Sequence, residues 1–394
     1  MKRDRFTWLV YLLLAFYAYF LNVLGPITPF LKDELHLSYT ASSLHFTAFA
    51  AGLLLIGLMG QTVIRRLGET RALWAGAIGI SVSSLILVAG RSVLVTIAAS
   101  FCMGLVGSLI LATVPLVLSR HHGHLRSVAI AEANVAASLA STAAPLMVGL
   151  AARVPGGWRW ALAVAALAPL MARPWLARSA ARQSDSHSID AAPADAATRQ
   201  KRLPKLYWLL WSALLLGVSL EFCMISWSAS YLISSLGMAK ANAAQSLSLF
   251  LAGMLIGRVA GSRLLRRFSP HAVLMGSIGV ASIGFALIWA ASRIPEGLIG
   301  LFVTGLGIAG LYPLLLSLGI AVAPNSVEAS ARAALASGIA ILALPLVLGR
   351  LADMVGLRPA YALVAVLLVA IFLIVLISQQ KTHARPRSGR HFVE

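Results

Sequence analysis

The feature that most limits what this chain can become is the recurrence, along its whole length, of apolar stretches of about 18 residues or more. A helix rising about 1.5 Å per residue crosses a hydrocarbon layer of about 30 Å in some twenty residues. Twelve such stretches can be drawn, at roughly 7–31, 41–64, 72–90, 93–118, 125–152, 158–177, 206–236, 241–264, 271–292, 296–322, 330–354 and 359–379. Runs such as 161–171 and 363–377 are apolar on every face, and the alternation of a membrane barrel is absent, so helices make the crossings. The composition agrees: of 394 residues 59% are hydrophobic and 11% charged, more apolar surface than a water-soluble domain can hide in one core.

A net charge of +19 in a soluble protein would point to nucleic acid, but here its placement reads as topology, and no nucleic-acid partner is expected. With the N-terminus in the cytoplasm, 23 of the 32 Lys and Arg fall on inside segments, among them Arg65, Arg66, Arg71, Arg120, Arg126, Arg263, Arg266 and Arg267. Eight fall at outside ends, and Arg258 lies within a span. The positive-inside rule then predicts cytoplasmic termini and an even number of spans, as in an integral protein of a bacterial inner membrane. The first stretch is too long for a signal peptide and runs into Gly25-Pro26-Ile27-Thr28-Pro29, so it is expected to stay as the first helix. Cys102 and Cys223 both fall inside spans and read as small core residues rather than a disulfide.

Between Arg178 and Lys205 the sequence turns to Ser, Ala, Asp, Arg and Gln, the composition of a solvated linker. The expected organisation is a six-helix bundle over 1–178, a cytoplasmic linker over 179–205, a second six-helix bundle over 206–380 and a basic tail over 381–394. The halves repeat each other at an offset of 201 residues. Phe49, Ala51, Gly52, Leu54, Gly60, Arg65, Arg66 and Leu73 recur as Phe250, Ala252, Gly253, Leu255, Gly261, Arg266, Arg267 and Leu274, and Gly104-Leu105 recurs as Gly305-Leu306. With a slip of one residue, Pro145-Leu146 and Gly149 recur as Pro345-Leu346 and Gly349. Parallel repeats of this kind are the plan of one large class of secondary transporter.

On these residues the chain resembles the major facilitator superfamily from the first helix to the twelfth. The resemblance implies an all-α membrane protein of twelve helices in two pseudo-symmetric bundles that rock about a central site. The family's motif between helices 2 and 3, Gly-x-x-x-Asp-Arg-x-Gly-x-Arg, is degenerate here: Gln61 replaces the first Gly and Arg65 the Asp. Its second copy, 262–271, keeps only Arg266 and Arg267. In the family this loop locks one half against the other, and the missing Asp removes a part of that lock. Helix 5 carries Ala140-Ser141-Thr142-Ala143-Ala144-Pro145-Leu146-Met147-Val148-Gly149, which is similar to the antiporters' Gly-x-x-x-Gly-Pro-x-x-Gly-Gly or serves ordinary close packing. The antiporters' Arg in helix 4 is replaced by Ser100. The stretches Glu221 to Trp227, Gly257-Arg258 and Gly305 to Pro313 resemble the fucose-permease-like branch, although the acidic residues that branch has in helices 1 and 4 are missing.

Ionisable groups deep in a bilayer are costly and are therefore functional suspects. Glu221 stands about 21 Å above the inner end of helix 7. It reads as a proton-coupling or substrate residue, since a carboxyl in a low-dielectric cavity can take and release a proton; a structural carboxyl bonded to a neighbouring helix is the other reading. Its repeat partner in helix 1 is Phe20. Glu132 and Arg258 both lie about 9 Å from the inner ends of their helices. Helices 5 and 8 face each other in the resembled fold, so this pair is expected as a gate that closes the cytoplasmic side. Arg258 reaching Glu221 or an anionic substrate is an equal alternative.

His45 is a second proton-coupling candidate or a satisfied interface histidine. Tyr19, Asn22, Ser228, Tyr231 and Tyr312 join Glu221 as expected substrate contacts. His121, His122 and His124 lack Cys or carboxylates in their loop, so no metal is expected. No Walker pattern, nucleotide-binding unit or catalytic triad is present, so neither an enzyme nor a cofactor is expected, and a channel or membrane enzyme would leave the duplication unexplained. The expected function is secondary transport of a small organic solute by a monomer in lipid, with protons as the coupling ion. The alternative is efflux of hydrophobic compounds by proton antiport.

Overall fold

A computed structural model describes residues 3–170 and 203–383, so most of the linker expected over 179–205 and most of the tail over 381–394 lie outside the described residues. The chain forms α1 (Arg5–Glu34), α2 (Tyr39–Leu67), α3 (Glu69–Ala89), α4 (Val93–His122), α5 (Arg126–Ala151) and α6 (Arg159–Ala166). It continues with α7 (Lys205–Leu236), α8 (Lys240–Leu264), α9 (Pro270–Ala290), α10 (Ile294–Ile308 and Leu311–Val322), α11 (Ser326–Val355) and α12 (Leu357–Ala360 and Leu363–His383). No strand occurs among the described residues. The short turn Gly123–Leu125 is all that separates α4 from α5, and α6 is followed only to the edge of the described segment.

Local chemistry sets the helix ends. Asp4 caps α1, its carboxylate accepting from the Thr7 amide at 2.9 Å and the Thr7 hydroxyl at 2.6 Å. Burial pushes the Asp4 carboxyl up, but the two Thr7 bonds and His121 outweigh it and hold the group below the ordinary aspartate range. Ser38, Ser92 and Ser269 cap α2, α4 and α9 in the same way, and Pro270 pre-sets the first turn of α9. Gly237, at φ 64°, ends α7 in the left-handed conformation that favours glycine.

The repeat is visible in the packing. α1 packs on α5, α2 on α4 and α3 on α4, and the same pairings recur as α7 on α11, α8 on α10 and α9 on α10. A Cβ added to Gly104 would collide with the carbonyl oxygen of Phe49, and one added to Gly305 with that of Phe250, the positions 201 residues on. Gly52 meets the backbone of Phe101 and Leu105 as Gly253 meets that of Phe302 and Leu306. These glycines let helix backbones touch, which replaces the hydrophobic drive that lipid cannot supply. Each bundle holds its own apolar core, one built around Tyr17, Phe20 and Phe49, the other around Trp227, Tyr231, Phe250 and Tyr361.

The helix ends divide into two faces. Arg5, Leu67, His122, Arg126, Lys205 and Leu264 mark the face that carries the chain termini; Glu34, Tyr39, Ala151, Arg159, Leu236, Lys240 and Val355 mark the far face. The bundles meet along α2 with α11, α5 with α8 and α1 with α7, a pseudo-twofold arrangement.

Candidate functional site

The far face is sealed. Both oxygens of Asp353, on α11, accept the backbone amides of Tyr39 and Thr40 at 2.8 Å, so one bundle caps a helix of the other. Lys240 pairs with Asp33, and Arg153 donates to Asn242 and Gln245 at 2.9 Å each. Deeper in, Thr47 donates to the Leu342 carbonyl at 3.0 Å and Ser248 to the Thr142 carbonyl at 2.7 Å. Small residues bring the backbones together beneath these bonds. An added Cβ on Gly25 would strike the Ile225 carbonyl, on Gly149 the Ala241 carbonyl and Gln245, and on Gly338 the Leu54 side chain. Gly149 and Gly349, matched in the repeat, thus both sit at the bundle-to-bundle seam, where the Gly349 position lies against Ser43 and Tyr39. The stretch Ala140 to Gly149 is used for this packing. The edge of the Tyr39 ring and the Phe46 ring close over the buried Trp227.

Toward the terminal face the same helices lose their neighbours. The far half of α2 is buried on most sides, whereas between Leu55 and Leu67 only Ile56, Gly60 and Ile64 stay buried and Leu58 is 76% exposed. α5, α8 and α11 change in the same way, each keeping a single buried stripe. Four helices packed on one side only, below a sealed far face, enclose a cleft open at the terminal face.

Glu221 lies at the apex of this cleft. It stands one turn toward the terminal face from Ile225, where α7 touches Gly25 of α1, and it is only partly buried. Among the described residues none donates a hydrogen bond to its carboxylate. The charge that acts on it is that of Arg258, on α8. Arg258 is exposed, and its guanidinium reaches across the seam to the Ser138 hydroxyl of α5 at 3.4 Å. A carboxylate and a guanidinium therefore lie near each other at the seam without a direct ion pair, so protonation or a bound charge would change the energy strongly once the cleft closes around them.

The structure separates the other expected residues from this apex. Glu132 and Arg258 are apart here: Glu132 accepts from Arg3 Nε at 2.9 Å, from the second Arg3 nitrogen at 2.6 Å and from the Tyr11 hydroxyl at 3.0 Å, all within its own bundle. His45 is buried between α2 and α4, with Nδ1 on the Ser42 carbonyl at 3.2 Å and Nε2 on the Thr96 hydroxyl at 2.9 Å. In this conformation the ring has the bonds of a satisfied interface histidine and bridges α2 and α4 inside one bundle. Tyr19 donates to the Ala161 carbonyl on α6 at 2.9 Å, and the Asn22 amide donates to Ala18 and to Ser141 at 3.0 Å, tying α1 to α5. Ser228 bonds the Tyr361 hydroxyl at 3.0 Å, and Tyr231 stacks on the Tyr361 ring at 4.6 Å, so both are turned into the second bundle. These four side chains serve packing in this conformation. Tyr312 is exposed just beyond the break in α10. In the degenerate loop motif, Glu69 pairs with Arg120 and ties α3 to α4 inside one bundle.

Asp353, Asp33, Arg153 and Ser138 were not anticipated as joining residues. The charge complementarity of Asp33, at the end of α1, and Lys240, at the start of α8, was the one signal that could have found a pair.

A family model of the Major Facilitator Superfamily matches residues 10–337. An uncharacterized MFS-type transporter of Yersinia pestis is 30% identical over 156 residues, a match that takes in 38% of this chain and 40% of that relative's length. Among solved structures, a bacterial homolog of the human lysosomal transporter Spinster, inward-facing and occupied, superposes with a TM-score of 0.80 at 13% identity, covering 96% of this chain and 98% of that one. The nucleoside transporter NupG gives 0.73 at 12% identity over 94% and 99%. The E. coli fucose:proton symporter gives 0.59 at 17% identity over 93% and 98%. A model matched over most of the chain, a duplicated six-helix plan and a cleft between the halves agree: the chain belongs to the Major Facilitator Superfamily.

Proposed function

We propose that this protein carries a small organic solute by alternating access, coupled to protons through Glu221. The observation that supports this most is the position of Glu221, the carboxylate at mid-span, at the apex of the cleft and without a hydrogen-bonded partner. An ionised carboxylate moved through a closed, dry state needs a partner or a proton. Arg258 supplies the partner when the site is empty, and a proton replaces it when the solute is bound. The terminal face is then the cytoplasmic one, by the distribution of Lys and Arg, and the conformation is inward-facing. Solved structures of the same fold include a nucleoside transporter and a fucose:proton symporter, so the solute is to be found by uptake into proteoliposomes from a mixed metabolite panel, with and without an inward pH gradient. Glu221→Gln should abolish gradient-driven accumulation while solute exchange persists. Accumulation unchanged in that variant refutes the coupling role. Efflux by proton antiport, the reading that the α5 stretch favours, would show in the same vesicles as solute movement against the direction of the proton.

In the alternative use of Arg258, as a gate, α5 and α8 approach as the terminal face closes and Glu132 exchanges Arg3 for Arg258. Glu132→Arg combined with Arg258→Glu should then recover much of the transport that each single change loses. A correctly folded double variant without recovery counts against direct pairing.

A further inference from the structure

In the second half α8 and α9 splay apart toward the terminal face, leaving a furrow of about 330 Å³ whose floor is α10. Gly257, Gly261 and Leu264 form one wall, Val273, Gly276 and Val280 the other, and Leu306 and Gly307 the floor. Within the repeat Gly276 stands where the first half has Ala75, while Gly257 and Gly307, which replace Ile56 and Val106, let α10 pack closely against α8 and α9. In the first half Val106 fills the space against Gly79, whereas a Cβ added at Gly261 or Gly276 would meet nothing within 4 Å.

At the terminal end of the furrow the last turn of α8 carries Arg263, and the connection to α9 carries Arg266 and Arg267, all exposed. The first half neutralises its corresponding corner with Glu69 on Arg120. The second half has Pro270 in place of Glu69, and no Asp or Glu stands between Glu221 and Glu296. Among the described residues none of the three arginines forms an ion pair. Positive-inside topology accounts for basic residues on this face, but not for an uncompensated cluster placed at the mouth of an unfilled apolar slot at headgroup depth.

We propose that this furrow is a binding site for one anionic phospholipid, with an acyl chain between α8 and α9 and the phosphate among Arg263, Arg266 and Arg267. Guanidinium forks suit a phosphodiester, and the apolar walls of Leu264, Val273 and Val280 suit a methylene chain. A lipid seated there would wedge α8, the helix that carries Arg258, and so bear on the seam with α5.

The test is native mass spectrometry of the full chain in detergent, titrated with phosphatidylglycerol or with phosphatidylcholine of the same acyl chains. One molecule of phosphatidylglycerol should be retained at least about tenfold better than phosphatidylcholine, a conservative figure for three arginines near a headgroup. The variant R263Q/R266Q/R267Q should lose that preference. Gly276→Leu, whose Cβ meets nothing within 4 Å, should occupy the furrow and lose retention of the lipid while the arginines stay in place. Melting curves of both variants without lipid, unchanged from the parent, establish that they fold. Equal retention of the two lipids overturns the proposal, as does phosphatidylglycerol retention that survives both variants, displacement by inorganic phosphate alone, or a dimer that Gly276→Leu dissolves.

Discussion

His45 lies well inside α2, yet both ring nitrogens are spent on Ser42 and Thr96, whereas Glu221 has no such bond. In the proposed mechanism that difference makes Glu221, rather than His45, the group that follows a proton gradient. His45→Ala removes the bridge from α2 to α4, while the Thr96 hydroxyl keeps the Ser92 and Val93 carbonyls, and it should destabilise the protein by about 0.5–1.5 kcal/mol. Its melting temperature should fall while the pH dependence of uptake stays that of the parent; a displaced pH profile would return His45 to the coupling path. In the sequence both residues look alike, an ionisable group in an apolar run. What distinguishes them is the side of the helix they occupy relative to a second bundle, and on helices as uniformly apolar as α7 the pattern does not show which face meets the cleft. Ser228 and Tyr231 illustrate the same limit, since they sit at a plausible depth but turn toward Tyr361.

Helices were the most legible level. Length and apolarity alone place α1 to α5 and α7 to α12, because lipid demands that each span satisfy its own backbone. Glycines were legible only as a repeat; the structure divides them into two uses. Gly104 and Gly305 hold helices together inside a bundle, and Gly25 and Gly149 hold the bundles to each other on one face. Substitution should therefore have opposite signatures. Gly104→Leu should prevent folding, because the Phe49 backbone cannot move. Gly25→Leu should fold and instead disfavour the sealed far face, raising the reactivity of a cysteine introduced at Ser43 toward a membrane-impermeant maleimide several-fold. Unaltered labelling with normal expression would mean that the α1–α7 contact does not govern closure.

For the whole molecule, the two halves must separate at one face as they join at the other, and the far seal sets part of that balance. Asp353 contributes a charge on the N-terminus of α2, an interaction worth about 0.3–2 kcal/mol. Asp353→Asn should raise the population of the conformation open at the far face by about two- to thirtyfold, read as a longer spin-label distance between the far ends of α2 and α11. A distance distribution identical to the parent's would exclude a role in the balance. The two-bundle plan was legible in the 201-residue repeat, but the seal was not, because its charges stand at span ends, where a single sequence offers no reason to prefer a partner over water.

The seal also has a one-sided chemistry. Thr47 and Ser248 reach for carbonyl oxygens of Leu342 and Thr142, and Asp353 for the amides of Tyr39 and Thr40. Every residue supplies the same peptide group, so Leu342, Thr142 and Thr40 are free to drift in evolution without weakening these bonds, and covariation between the partners should be faint. An alanine scan would detect each of these bonds only at Thr47, Ser248 or Asp353 and report the partner across the seam as silent.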